Sequence, residues 1–356
     1  MQVSTISALP LSGSSKTFTF SVVTQTELLS LERVLAEVPL CIRSLSVPLL
    51  PGQSGPELTL LQAYGGNKGP VPFAQAVPQS PGFAPVVSAS QQENTFNAYL
   101  ALLNVSTIEQ ARKLPYSALQ TANIIQVGGS AYGGFTYGPV VDGDFVPDLP
   151  GQLLLHGQYD QSLRVMVGHN ADEGLLFTSP FVQNNSAFAT FLTAELPTIA
   201  AYPSVLNYTT NVLYPPVFDG SQAMGYTSQV ARAAALVSEL IFTCNTFYLD
   251  KAYGNKTFSY LFAVPPATHG QDIAYTYYNG NGSASAAVIA PQIAIAMQEY
   301  ITHFAETGNP NTAGVPYFNM YGNNATVQLL NVTGIRQTVD PAANQRCNYW
   351  QKALYY

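Results

Sequence analysis

Short strand-like runs alternate with longer helical patterns from about Ala63 onward, and this alternation limits the fold of the 356-residue chain more than any other feature. Residues 163–167 and 258–262 are compact apolar runs of the kind that form buried strands. Residues 222–250, between them, carry apolar side chains at helical spacing. A strand, a crossover helix and a second strand build a mostly parallel sheet covered by helices. The pattern therefore predicts an α/β fold.

Residues 285–306 form a second helical pattern, which ends at Gly308 as helices commonly do. The most apolar stretch of the chain, residues 284–297, lies largely within it. Pro291 interrupts this stretch, which is also shorter than the roughly 18 apolar residues that cross a bilayer. We therefore interpret it as a core helix and expect no transmembrane segment.

The chain has no internal repeat, and residues 128–138, rich in Gly and Tyr, resemble a surface loop more than a domain linker. Residues 1–57 show neither sustained periodicity nor strand–helix alternation. We therefore expect a poorly assigned N-terminal segment at 1–57, followed by one domain portion at 58–356.

The charge balance argues against one class of partner. Lys and Arg total 13 and Asp and Glu total 20, which gives a formal net charge of −7. No cluster of Lys or Arg makes a local exception. Because nucleic-acid binding depends on basic side chains that neutralise phosphates, nucleic acid is not an expected partner.

Seven Asn-x-Ser/Thr triplets without a central Pro are spread along the chain. They begin at Asn104, Asn184, Asn207, Asn255, Asn281, Asn324 and Asn331. Such triplets accept N-glycans in secreted proteins. Glycans would increase the solubility of a chain of which only 9% of residues are charged. The triplets predict an extracellular glycoprotein, and chance occurrence is the alternative. Residues 1–22 do not have the pattern of a signal peptide, so we expect the chain to begin inside a longer protein.

Three cysteines leave one thiol over if two of them pair. A bridge between Cys244 and Cys347 would span 103 positions and would leave Cys41 free. By restricting the unfolded chain, such a bridge contributes about 4 to 5 kcal/mol. Three free thiols in a reducing compartment are the alternative, which fits the glycosylation triplets poorly.

Both candidate strands continue into polar segments. The first leads into GHNADEG at residues 168–174, and the second leads through two prolines into THGQD at residues 268–272. Reactive groups of open α/β sheets gather beyond the carboxyl ends of the strands, so the two segments are expected to meet. A carboxylate on one histidine nitrogen fixes the tautomer and stabilises the imidazolium, which lets the other nitrogen deprotonate a serine.

His269 is the candidate base among the four histidines because it lies in a loop after a strand. The other three have contexts that favour structural roles. His156 lies in an apolar stretch, His169 precedes the acidic segment, and His303 belongs to a helical pattern.

Five short segments resemble, in the same order, landmarks of the type-B carboxylesterase and cholinesterase-like family, its fungal secreted members in particular. They are GPVVDG at 138–143, DEG at 172–174, HGQDI at 269–273, FAETGNP at 304–310 and RCNYW at 346–350. The resemblance extends over roughly residues 58–356, and five motifs in order are far more specific than any one alone.

This resemblance implies an α/β-hydrolase fold that cleaves small-molecule or lipid esters through an acyl-enzyme, with no metal or organic cofactor. It implies that Glu173 is the triad acid, with Asp172 as the alternative, and that His269 is the general base. It further implies that Cys244 pairs with Cys347. The structural alternatives are that Glu173 only stabilises a turn and that His269 is a hydrogen-bonded loop residue.

Ser54 is the candidate nucleophile. The segment GQSGP at 52–56 is the nearest match to the Gly-x-Ser-x-Gly elbow of the family. Pro56 stands where the second glycine is expected, and proline fixes φ and removes an amide donor. Ser54 and Glu57 are also spaced as a helix capping box, which is the structural alternative.

The oxyanion hole is the second departure from the family, because no His-Gly-Gly loop precedes Ser54. Losing one oxyanion donor costs about 100- to 1000-fold in turnover. The first strands of the fold also lack room before Ser54, so we expect the N-terminal strands to be missing or replaced. These departures predict little or no esterase activity for this chain. A catalytically inactive binding module and a truncated gene product are the alternatives.

Overall fold

A five-stranded sheet in the order β1-β2-β3-β4-β5 forms the centre of the computed structural model. The structure describes residues 71, 73–83, 89–134, 136–137, 141–219, 221, 225–281 and 286–355. The strands are β1 (Gln75–Ala76), β2 (Arg164–Asn170), β3 (Phe258–Phe262), β4 (Thr326–Asn331) and β5 (Gly334–Val339). Strands β1 to β4 run parallel, and β5 pairs antiparallel with β4. The predicted mostly parallel α/β fold is confirmed.

Helices flank this sheet. The α-helices of the described residues are α1 (Ala89–Leu102), α2 (Ile108–Ala111), α3 (Tyr116–Gly128), α4 (Pro150–Leu155), α5 (Asn185–Glu195), α6 (Pro203–Tyr208), α7 (Gln229–Val237), α8 (Cys244–Ala252), α9 (Gln271–Thr276), α10 (Pro291–Thr307) and α11 (Gln345–Trp350). Short 3-10 helices lie at Leu175–Phe177 and Pro197–Ala201, and π-helical turns lie at Thr209–Leu213 and Ser238–Thr243.

Strand β2 is longer than the predicted 163–167 and ends at Asn170, which lies opposite Phe262 of β3. The apolar pattern predicts only part of the strand because the residues at its carboxyl end are polar. Gly168 lies within the strand and pairs with Tyr260 of β3. A side chain is excluded there because a Cβ would lie 2.2 Å from an atom of the Tyr260 ring.

The predicted crossover helix at 222–250 is present as one helical run, in which α7, a π-helical turn and α8 follow without a break. Within the described residues, this run, Gln229–Ala252, is long and apolar enough to cross a membrane. Since 78% of its most apolar window is buried, a core helix accounts for it equally well.

Helix α10 begins at Pro291, later than the predicted residue 285. Proline suits the first helical turn, where its missing N–H would have no helical partner, so Pro291 starts the helix rather than interrupting it. The predicted end is confirmed, because α10 stops at Thr307 and Gly308 follows in the left-handed region at φ 76°.

The two faces of the sheet bury separate apolar clusters. Val165 and Val167 of β2 point to the cluster that includes side chains of α5, α7 and α8. Met166, between them, points to the cluster on the opposite face, which α10 covers. The alternation follows from the two-residue period of a strand and explains the continuous apolar run in the sequence.

A disulfide joins Cys244 at the start of α8 to Cys347 in α11, with the two Cα atoms 5.0 Å apart. The pairing that the family resemblance implied is therefore present. Cys41 and the whole of residues 1–57 lie outside the described residues, so the free thiol and the division at residue 57 stay predictions.

Candidate active site

Two loops at the carboxyl edge of the sheet extend the pairing of β2 with β3. The backbone N–H of Ala171 donates to the carbonyl of Phe262 at 2.9 Å, and that of Asp172 donates to the carbonyl of Ala267 at 2.9 Å. A further β-bridge joins Asp172 to Thr268. The next residue of one loop is Glu173 and the next residue of the other is His269. The two residues are therefore neighbours at the edge of the sheet, although 96 positions separate them in sequence.

Glu173 and His269 are in direct contact, with Oε2 of the carboxylate 2.5 Å from Nδ1 of the imidazole. Glu173 is fully buried. Its Oε1 accepts hydrogen bonds from the Ser80 hydroxyl at 2.6 Å and from the Asn170 backbone N–H at 2.5 Å. The carboxylate thus receives donors from three parts of the chain.

The surroundings of Glu173 favour its ionised form. Burial alone would raise the pKa of this carboxyl. The charge of His269, together with hydrogen bonds from His269, Ser80 and Asn170, outweighs burial and lowers the pKa below its usual 4.5. An ionised, fully buried carboxylate can stabilise an imidazolium.

Asp172, the alternative acid, is half-buried and contributes its backbone to the loop pairing. Burial, and next the charge of Glu173, raise the pKa of the Asp172 carboxyl. The carboxylate that reaches His269 is therefore that of Glu173.

Two phenyl rings pack against the His269 imidazole. The Phe242 ring lies 4.3 Å away between centroids at an interplanar angle of 37°, and the Phe177 ring lies 5.2 Å away at 67°. Only 5% of the His269 side chain is exposed. Because Nδ1 faces Glu173, Nε2 is the nitrogen on the opposite edge of the ring, which is the arrangement that a general base requires.

A second layer of buried polar groups supports Glu173. The Asn170 side-chain amide donates to Oδ1 of Asp272 at 3.0 Å, and Asp272 is fully buried. The Tyr260 hydroxyl donates to Oδ2 of Asp272 at 2.8 Å, and the Gln79 amide donates to that hydroxyl at 2.9 Å. Strands β2 and β3 and the segment after β1 are thereby joined next to Glu173.

Only some residues of this layer could be expected from the sequence. Asp272 stands in the HGQDI motif, and Asn170 stands just before DEG, so their position near the site could be expected. Nothing in the local pattern around Ser80 or Phe242 indicated a role. Ser80 has a left-handed φ of 50°, which is uncommon for a residue with a side chain and marks a constrained turn.

Gly174 lets helix α7 approach the backbone directly after Glu173. A Cβ at Gly174 would lie 2.0 Å from the carbonyl oxygen of Ala234 and 2.7 Å from the backbone nitrogen of Ser238. The Gly174 N–H also donates to the Ser238 hydroxyl at 2.8 Å. The glycine of the DEG motif is therefore required for packing.

The other three histidines have different surroundings. His156 follows α4 and is exposed. His303 lies on α10, with Nδ1 2.6 Å from the carbonyl oxygen of Asn309. His169 is buried, and its Nδ1 lies 2.9 Å from the carbonyl oxygen of Asn170. Burial alone would lower the pKa of His169, but the hydrogen bond and charge of Asp340 outweigh burial, so the pKa is raised above its usual 6.5.

Two of the sequence-predicted site residues are together, and the third is not described. Glu173 and His269 meet, whereas Ser54 lies outside the described residues and its distance from His269 stays a prediction. Among the side chains that the structure describes, no group of three or more His, Cys, Asp or Glu residues could hold a metal ion.

Comparison with known proteins gives consistent results. A profile described as the carboxylesterase family matches residues 64–350. The chain is 40% identical over 298 residues to carboxylesterase patB of Penicillium expansum, a match that covers 83% of this chain and 52% of that protein. It is 28% identical over 271 residues to a secreted lipase of Arthroderma benhamiae, covering 73% of this chain and 49% of that protein. The chain thus spans about half the length of these relatives.

Among solved structures, Aspergillus niger EstA superimposes with a TM-score of 0.66 at 21% sequence identity, covering 83% of this chain and 61% of that one. At this identity the likeness establishes the fold alone. It agrees with the parallel sheet, its flanking helices and the loops at its carboxyl edge.

Proposed function

The chain belongs to the carboxylesterase family, and from that premise we propose that it hydrolyses carboxylic esters through an acyl-enzyme, with a triad of Ser54, Glu173 and His269. The observation that carries the proposal is the buried 2.5 Å contact between Glu173 and His269. A carboxylate that only stabilised a turn would need no histidine partner. The Glu173 carboxylate contacts Nδ1 of His269, which is the nitrogen that the acid of a triad contacts.

In the proposed reaction the hydroxyl of Ser54 attacks the ester carbonyl while its proton passes to Nε2 of His269. The imidazolium then gives that proton to the departing alcohol, and an acyl-serine ester remains. A water molecule, deprotonated by His269, attacks this ester. The acyl–oxygen bond to Ser54 breaks, the imidazolium returns its proton to the Ser54 oxygen, and the carboxylic acid leaves. Glu173 holds the ring in one tautomer and stabilises its positive charge through both steps. The substrate class is small-molecule or lipid esters.

The proline at position 56 is the reason why we expect slow ester turnover. A sharp strand-to-helix turn with small residues lifts the nucleophile of this fold into the crevice. Pro56 replaces the second glycine of that turn in the segment GQSGP, and a displacement of about an ångström costs roughly 100-fold in rate. We therefore expect turnover well below the ordinary esterase range, and an increase for Pro56→Gly.

The test is hydrolysis of p-nitrophenyl butyrate by residues 1–356, after cooperative unfolding has shown that the chain folds. Slow turnover that Ser54→Ala and His269→Gln abolish, and that a fluorophosphonate probe blocks, supports the proposal. Turnover that persists in Ser54→Ala contradicts the assignment of the nucleophile. The second candidate function is a non-catalytic binding module, which the proline at position 56 suggests. The absence of both turnover and labelling, in wild type and in Pro56→Gly, would favour it.

We also propose an extracellular location with N-linked glycans, and residues 58–356 as one domain portion. Five of the seven acceptor asparagines have exposed side chains, namely Asn104, Asn184, Asn207, Asn281 and Asn324. The relative named a secreted lipase is in keeping with this location. Secretion from a fungal host, followed by a mass decrease on treatment with an N-glycosidase, would support it. A secreted chain of unmodified mass would contradict the glycan assignment.

A further inference from the structure

The π-helical turn Ser238–Thr243 contacts His269 and the residue that follows Glu173. Ser238 accepts a hydrogen bond from the backbone N–H of Gly174, the residue after Glu173, at 2.8 Å. Phe242, four residues later, packs against the His269 imidazole with the ring centroids 4.3 Å apart and the ring planes tilted by 37°. One helical turn therefore holds the loop of the acid and the ring of the base.

The position of this turn does not depend on the histidine loop. Helix α7 precedes it and packs against Gly174, where there is no room for a Cβ. Helix α8 follows it and begins at Cys244, which the disulfide ties to α11. Single π-helical turns within α-helices recur at functional sites. Phe242 is thus a fixed surface against which the His269 ring rests.

The chemistry of this contact favours one protonation state of His269. The face of a phenyl ring carries partial negative charge and attracts a cation within about 6 Å, more strongly when both groups are desolvated. Phe242 is 2% exposed and the His269 side chain 5%. The imidazolium gains from this attraction and the neutral ring gains little.

We propose that Phe242 is a positioning residue that stabilises the protonated form of His269, the form that holds the serine proton during acyl transfer. Its role in catalysis rests on the function proposed above, whereas its effect on His269 does not. The charged groups that also act on His269 are Glu173, which is bonded to Nδ1, and Asp272, which interacts with it electrostatically. Asp172 adjoins Glu173, and Glu239 of the π-helical turn is paired with Arg346.

The experiment is an NMR titration of the folded chain with ¹³C-labelled histidine, in which His269→Gln identifies the His269 signal among four. We compare wild type with Phe242→Leu, which keeps an apolar side chain but removes the ring. Phe247→Leu is the matched control, since Phe247 belongs to the same buried cluster and is 7% exposed. We expect the pKa of His269 to fall by about half a unit to one unit in Phe242→Leu and to stay constant in Phe247→Leu.

An unchanged pKa in Phe242→Leu, or an equal fall in both variants, overturns the proposal, because the second result would reflect general loosening of the core. If Phe242→Leu does not fold, Phe242→Met makes the same comparison with a more adaptable side chain. Ester hydrolysis is measured in parallel, and kcat is expected to fall about 3- to 10-fold in Phe242→Leu with KM unchanged. Absence of wild-type hydrolysis beside the expected pKa shift would refute the proposed function alone. Wild-type hydrolysis that Ser54→Ala abolishes, with no pKa shift in Phe242→Leu, would refute this inference alone.

Discussion

The Glu173 carboxylate is the residue on which the site depends, because it is fully buried and each of its contacts compensates part of the cost of burial. The Ser80 hydroxyl and the Asn170 N–H occupy one oxygen, and His269 occupies the other. Its lowered pKa means that the folded state holds the proton less tightly than the unfolded state. These contacts therefore stabilise the protein above the unfolded pKa, and that stability is lost as pH falls through the folded value.

Replacing Glu173 tests its proposed role as the triad acid. Glu173→Gln keeps the shape of the side chain but removes the charge that stabilises the imidazolium and fixes the tautomer, so we expect kcat to fall roughly 10⁴-fold. The matched control is Asp172→Asn, which alters the neighbouring carboxylate and is expected to change kcat less than about 10-fold. Steady-state kinetics with p-nitrophenyl butyrate gives both values. Equal losses in the two variants would restore Asp172 as a candidate acid.

At the scale of elements, the site depends on two parallel strands that end together and on a helix that packs against the loop after the first. The β-bridge between Asp172 and Thr268 carries the register of β2 and β3 into their loops. Helix α7 then confines the acid loop from the side at Gly174. A change in any one of these elements should move Glu173 relative to His269.

The packing of α7 on the acid loop can be tested at its closest point. Gly174→Ala introduces a methyl group 2.0 Å from the carbonyl oxygen of Ala234, so the loop or the helix must shift. We expect unfolding free energy to fall by about 1 to 3 kcal/mol and turnover to fall roughly 100-fold. Gly128→Ala is the control, since a Cβ there meets nothing within 4 Å. Wild-type activity in Gly174→Ala would show that the helix does not fix the acid.

Helix α5 makes a pH-dependent contribution through its last residue, Glu195. Burial raises the pKa of this carboxyl to about 8 from its usual 4.5, and a negative charge is also unfavourable at a helix C-terminus. A raised folded pKa means that stability is lost as pH rises from about 4.5 through about 8.

Substituting Glu195→Gln removes that ionisation. We expect the variant to match wild type near pH 4 and to become progressively more stable than wild type up to about pH 8, as measured by urea unfolding at several pH values. Glu306→Gln, which alters an exposed glutamate near the end of α10, serves as the control. A stability difference that does not change between pH 4 and pH 8 would mean that Glu195 is solvated.

For the whole molecule, the disulfide is the strongest long-range connection described. It closes a loop of 103 positions between α8 and α11. Glu239 of the adjacent π-helical turn pairs with Arg346, next to Cys347, at 2.8 Å. The C-terminal helix is thus attached to the centre of the molecule by a covalent bond and by an ion pair.

Removing the bridge should destabilise the whole fold. In Cys244→Ser/Cys347→Ser we expect the free energy of unfolding to fall by about 4 to 5 kcal/mol, because a long loop of the unfolded chain is no longer closed. Urea unfolding at neutral pH measures the change, and Cys41→Ser provides a control that leaves the bridge intact. A loss below about 1 kcal/mol would show that the ion pair and packing hold α11 without the bridge.

Much of this arrangement could be predicted from the sequence, for physical reasons that differ between residues. The apolar strand patterns predict that a carboxylate of the DEG segment and His269 follow two strands, whereas the choice of Glu173 over Asp172 comes from the resemblance to the family. Asn170 was placed in a loop rather than in β2 because a polar strand end has no such pattern. Ser80 and Phe242 were missed because tertiary packing alone brings these distant segments to the site.

The acid and the base are 96 positions apart in sequence, yet the loops that carry them are joined by neighbouring strands. Between them the chain leaves the sheet, forms α5 to α8 and returns to the adjacent strand. Insertions and deletions in that excursion need not alter the spacing of the pair, whereas a single added residue in 168–174 or 267–272 would. In evolution, then, length variation should accumulate between residues 178 and 228 and be excluded from those two short segments. Members of the family would in this way diversify the excursion while the contact between the carboxylate and the imidazole stays constant.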